Sequence, residues 1–109
     1  MKYAVYMAAT DRTMSLVDVA QAAEERCFES IWIPEHVHIP VDRNTPYPFT
    51  PDGSLPDTHF RLPDPLGALA AVAGATSEIK LGTGICLVTE HEPIALAKSV
   101  ASLDYISGG

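Results

Sequence analysis

The chain has 109 residues, 47% of them hydrophobic and 19% charged, which describes one globular domain at most and argues against a disordered segment. A formal net charge of −7 argues against a nucleic-acid partner, which needs clustered Lys and Arg, and against an anionic membrane surface. No apolar run approaches a membrane span, and the opening MKYAVYMAATDRT lacks the features of a signal peptide.

Lys2 to Ala9 is short, apolar and rich in aromatic and β-branched residues, which predicts a strand. Ser15 opens a helix, with Asp18 three positions on in a capping-box arrangement. Leu16, Val19, Ala20, Ala23 and Cys27 share one face at helical spacing. Ser30 to Pro34 is a second strand, with Trp32 expected in the core. Two strands joined by a helix make a βαβ unit, so they should be parallel with a right-handed crossover.

From Pro34 to Pro63 the periodicity disappears. Five further prolines (Pro40, Pro46, Pro48, Pro51 and Pro56) and an Asp52-Gly53 turn signal fill this stretch. A connection this long is usually functional or disordered, and Tyr47, Phe49, Phe60 and Leu62 suggest that this one packs against something. Asp64-Pro65 then reads as an N-cap followed by Pro at the first helical position. The run KLGTGICLV, Lys80 to Val88, predicts a third strand, and Pro93 opens a third helix that Gly108-Gly109 should stop. The alternation fits either an open doubly wound sheet or a closed barrel. Gly82-Thr83-Gly84 lies inside a strand rather than opening a helix, so it is not a dinucleotide fingerprint; it marks a bulge or a close approach by a ligand.

Chemistry in such folds sits at the C-terminal ends of the strands. Glu35 and His36 follow the second strand directly, and a carboxylate beside an imidazole can hold its tautomer for acid–base work near neutral pH. His36 and His38 form an HxH pair whose rings would share one side of an extended chain, which is also metal-ligand spacing; His59 and His91 could add ligands. Gly84, Ile85 and Cys86 end the third strand, where a backbone edge could press against a flat ring. Cys27 and Cys86 lie in segments that read as buried; free buried thiols fit a reducing, cytoplasmic setting.

The segments AAEERCFESIWIPEH and KLGTGICLVTEHEPIALAKSVASLDYISGG, and the spacing between them, resemble the bacterial luciferase-like monooxygenase superfamily, in particular its branch that uses the deazaflavin coenzyme F420. The resemblance covers nearly the whole chain apart from the Pro-rich loop. It implies an α/β fold made of the N-terminal βα units of a TIM (β/α)8 barrel, incomplete in this chain, with residues 1–109 forming a partial barrel domain and a long loop over 37–63. The implied chemistry is hydride transfer to or from a flavin-like ring at the barrel mouth, or oxygen activation in members that use reduced FMN. The cofactor expected is coenzyme F420, with FMN as the alternative, and the partners are a small-molecule substrate and further copies in a homo-oligomer.

By this resemblance His36 is the proton-transfer or ring-contacting residue, with Glu35 beside it, although many members carry Asp there. Gly84, Ile85 and Cys86 would back the ring, with a non-proline cis peptide at Gly84-Ile85. Cys27 stands where the family usually has Gly, and a left-handed backbone there would cost a Cys about 1 kcal/mol. The phosphate-binding parts of such proteins are expected beyond residue 109. Two other readings stand beside the enzyme: a non-catalytic half-barrel that self-associates, and a metal-dependent hydrolase using His36 and His38.

Overall fold

A computed structural model describes residues 1–109. Three βα units follow one another: β1 (Ala4–Tyr6), α1 (Leu16–Glu25), β2 (Ser30–Ile33), α2 (Pro65–Ala73), β3 (Lys80–Thr83) and α3 (Pro93–Ser107). The strands form one parallel sheet in the order β1-β2-β3. Residues Val5, Ile31 and Leu81 stand in one row across it, and Tyr6, Trp32 and Gly82 in the next.

Successive side chains of a strand point to opposite faces, and here the two faces differ sharply. One carries Val5, Ile31 and Leu81 into a core with Ala20, Ala23, Val72 and Ile79. The alanines of α1 let that helix lie close to the sheet. The opposite face carries Tyr6 and Trp32, which are 64% and 40% exposed. In a closed barrel this second face is the interior. The expectation that Trp32 is core therefore fails: its parity puts it on the barrel-interior face, away from the packed helices. Its indole lies across Gly82, where a Cβ would sit 2.5 Å from the ring, and its Nε1–H donates to Ser30 Oγ at 2.8 Å. The close approach expected at the strand glycines is thus made by the protein's own aromatic ring.

The helix ends follow local chemistry. Asp64 accepts the Gly67 N–H at 2.6 Å and Pro65 takes the first helical position, as read from the sequence. Ser15 is the N-cap of α1 but its side chain makes no capping bond, so the capping box with Asp18 does not form. Cys27 adopts a left-handed φ of 59° just past α1 and is exposed, contrary to its expected burial. Gly108 ends α3 at a φ of 81°. Glu24, near the end of α1, accepts the N–H groups of Ser77, Glu78 and Ile79 at 2.6–3.0 Å. These bonds, that of Glu78 first and then those of Ile79 and Ser77, hold its pKa below the ordinary carboxylate value, and they fix where β3 starts.

The third strand is shorter than its apolar run predicts. The ladder ends at Thr83, and one more bond, Gly84 N–H to Ile33 O at 2.7 Å, closes it before the chain bends at Gly84 and Ile85. A short 3₁₀ turn over Val88–Glu90 then leads into α3.

Candidate functional site

The C-terminal ends of the three strands converge with the Pro-rich loop. That loop carries a 3₁₀ turn over Asp57–Arg61, tied down by charge. Arg61 donates to Asp11 at 2.9 Å and to Asp57 at 2.5 Å, and Arg12 donates to Asp57 at 2.8 Å. The loop is thereby held over the connection between β1 and α1. Arg12 and Arg61 are thus both paired within the chain, while Arg43 of the same loop lies over the Phe60 ring at 5.9 Å.

Glu35 and His36 leave β2 in opposite directions. Ile31, Ile33 and Glu35 form the buried row, and Trp32 and His36 the exposed one. The Glu35 side chain is 1% exposed. Its Oε2 accepts the Leu87 N–H at 2.5 Å and its Oε1 lies 2.7 Å from His91 Nε2. With the carboxylate ionised, that imidazole nitrogen is the donor. The expected side-by-side pair of Glu35 and His36 is therefore replaced by a pair of Glu35 and His91, 56 residues apart. His91 entered the sequence reading only as an optional metal ligand. Parity in the sequence points only to the separation of Glu35 from His36, since neighbours in an extended chain cannot face the same way; it carries no signal for His91.

Cys86 completes this buried cluster, since ligating atoms of Glu35, Cys86 and His91 lie within 4.8 Å of one another. Burial, and then the Glu35 carboxylate, push the Cys86 thiol pKa up, so the group stays protonated and unreactive near neutral pH. Both carboxylate oxygens of Glu35 already have partners, and the cluster acts as an internal clamp that holds the turn after β3.

Gly84 and Ile85 are exposed, Ile85 to 67%. No peptide bond in the chain is cis, so the expected cis bond at Gly84-Ile85 is absent. A non-proline cis bond costs about 3 kcal/mol, and this turn closes on trans bonds through Gly84 N–H to Ile33 O and Leu87 N–H to Glu35. Gly84 is nevertheless required: a Cβ there would meet the Tyr6 ring at 2.6 Å.

His36 lines a cavity of about 140 Å³ with Tyr6, Pro34, Thr58, His59 and Leu62. Its ring lies 5.2 Å from that of His59. Burial against this wall, and then the charge of His59, lower its pKa, while Glu90 opposes them, so the neutral imidazole is favoured. His38 turns to Glu90 instead, Nδ1 to Oε2 at 3.5 Å. The two rings of the HxH pair thus have different partners, and His38 is not in the cluster that brings three ligating groups together. Tyr6 and Trp32 share an exposed sheet face, and Tyr6 and His36 line one cavity beside it.

No helix of the chain is long and apolar enough to cross a membrane. A sequence profile described as luciferase-like monooxygenase matches residues 4–109. An uncharacterized protein of Mycobacterium tuberculosis is 43% identical over 110 residues, covering 100% of this chain and 39% of its own length. The 5,10-methylenetetrahydromethanopterin reductase of Methanopyrus kandleri is 30% identical over 99 residues, covering 91% of this chain and 22% of its own length. The solved structure of the coenzyme F420 dependent tetrahydromethanopterin reductase of that organism superposes with a TM-score of 0.70 at 26% identity. The superposition covers 99% of this chain and 24% of that one, whose fold is a TIM barrel. The chain therefore spans well under half the length of these relatives, and its three βα units are part of such a barrel.

Proposed function

Because this chain belongs to the luciferase-like monooxygenase family, we propose that it supplies one wall of the mouth of an oxidoreductase barrel, where a flavin-like coenzyme exchanges hydride with a small-molecule substrate. Coenzyme F420 is the coenzyme we favour, since the solved structure that superposes on this chain is of a coenzyme F420 dependent reductase; FMN with oxygen activation is the alternative. When bound, the coenzyme would supply the hydride-carrying ring. The single observation that carries the reading is the exposed sheet face of Tyr6 and Trp32, with His36 sharing a cavity with Tyr6 beside it.

Within this reading each residue has a task. His36 contacts the ring edge or takes up a proton there, which a neutral imidazole can do near pH 7. Gly84 and Ile85 back the ring. Glu35 and Cys86 serve from behind: Glu35 holds the turn through Leu87 and His91 rather than touching the coenzyme. Residues 37–63 form the cover of the mouth and shape the choice of substrate. Titration of the purified protein with F420 and, separately, with FMN tests the reading. A shift in ring absorbance with F420 supports it, a shift with FMN alone favours the alternative, and binding of neither rejects both.

Self-association is a second reading, resting on a different observation. The outer edge of β3 is unpaired, and a groove of about 390 Å³ beside it is lined by Ile79, Leu81, Val100 and Leu103. An open edge next to apolar surface favours pairing with another copy. Sedimentation at low concentration separates the cases, since a well-behaved monomer counts against a homo-oligomer.

A further inference from the structure

We infer that His59, carried by the Pro-rich loop, is a positioning residue for His36, the two imidazoles forming one coupled site at the wall of the mouth cavity. This rests on the reading of His36 as the residue at the coenzyme. Nothing in the sequence links the two, which are separated by a stretch without periodicity. The fold brings their ring centroids to 5.2 Å at an angle of 49°, and both rings line the same cavity of about 140 Å³.

The placement of His59 is built into the loop. Its ring is backed by Tyr47 at 5.1 Å in an edge-to-face contact, and Tyr47 is backed in turn by Phe49 at 5.4 Å. The 3₁₀ turn that carries it is held from both ends of the charge network, Arg61 to Asp11 and Arg12 to Asp57. Its Nδ1 is shut off from solvent and has no hydrogen-bond partner in the protein. Buried polar atoms without partners are rare in native structures and mark sites where a ligand or a functional constraint supplies the reason.

The groups bearing on His36 come from three directions. Tyr6 reaches the cavity from β1, His59 from the loop, and Glu90 from the 3₁₀ turn before α3. Two imidazoles this close do not accept protons independently: a proton on one opposes a proton on the other. Glu90 pulls the other way. His59 therefore does two things for His36. It fixes the ring by packing, and it keeps the ring neutral at the pH where the barrel would work.

The test is a histidine NMR titration of the protein without coenzyme, comparing wild type with His59→Gln and His59→Lys. Removal of the second imidazole should raise the His36 midpoint. The permanent ammonium of the Lys variant should lower it below wild type. Opposite shifts of about half a pH unit are the expected result. Shifts of the same sign, or no shift in either variant, would overturn the coupling and leave His59 as packing alone. If a variant does not fold, the wild-type curves decide: coupled sites titrate in two mutually dependent steps, whereas two independent single-site curves overturn the inference. Because no coenzyme is present, failure here leaves the coenzyme reading untouched, and failure of coenzyme binding leaves the pair measurable.

Discussion

Replacing Glu35 with Ala removes the one acceptor that two distant groups share. In the intact protein the carboxylate takes the Leu87 N–H at 2.5 Å and the His91 ring at 2.7 Å, from a side chain 1% exposed. Each buried group left without its partner costs about 1–3 kcal/mol, so the loss of both comes to about 4 kcal/mol. A domain's whole stability is about 5–15 kcal/mol. Here only 11 of 109 residues are buried, so the reserve lies at the low end. Urea unfolding followed by Trp32, the single tryptophan, reads the change directly. Glu35→Gln keeps one acceptor oxygen and an amide that can donate to the other imidazole tautomer, so its loss should be about 1–2 kcal/mol. Faster hydrogen exchange at the Leu87 amide should accompany both. A Glu35→Ala loss below about 1 kcal/mol, with Leu87 exchange unchanged, would refute the clamp.

Other substitutions test the frame around the site. Gly82→Ala drives a methyl group into the Trp32 ring, 2.5 Å away, and should cost about 1–3 kcal/mol and shift Trp32 emission. Asp64→Ala removes the cap on Gly67 and should cost about 1 kcal/mol by thermal unfolding, with Asp64→Asn nearly neutral. Cys27→Gly relieves the left-handed backbone at the cost of a freer unfolded chain, and should gain about 0.5 kcal/mol. The Glu24 carboxylate has a folded pKa below its unfolded one, so its contribution is complete above about pH 4.5 and fades as pH falls through the folded value. Glu24→Gln should therefore lower the urea midpoint at pH 7 and flatten its decline towards pH 3.

Much of the frame is legible in the order of residues. Alternating strands and helices, the Asp64-Pro65 start and the Gly108 stop all appear where local chemistry puts them. The errors share one cause, which is tertiary context. Lys80 to Val88 is largely apolar, but the ladder closes with Gly84 N–H on Ile33 O, and beyond it the Glu35 carboxylate takes the Leu87 N–H. Trp32 looks like core because large apolar residues usually are, yet its row faces the interior of a barrel that this stretch only partly encloses. The pairing of Glu35 with His91, and of His36 with His59, joins segments whose separation carries no periodic signal. The alternation along Ile31 to His36 does foretell that Glu35 and His36 part company.

The proposed function stands on a flavin-like ring lying on the face formed by Tyr6 and Trp32, against His36. The measurement that meets it most directly is titration of the protein and its His36→Ala variant with coenzyme F420, reading ring absorbance and Trp32 fluorescence together. Trp32 emission should be quenched in step with the absorbance shift, and the affinity should be about tenfold weaker in the variant, the worth of one hydrogen bond. Binding that leaves Trp32 emission unchanged and is indifferent to His36 would contradict it.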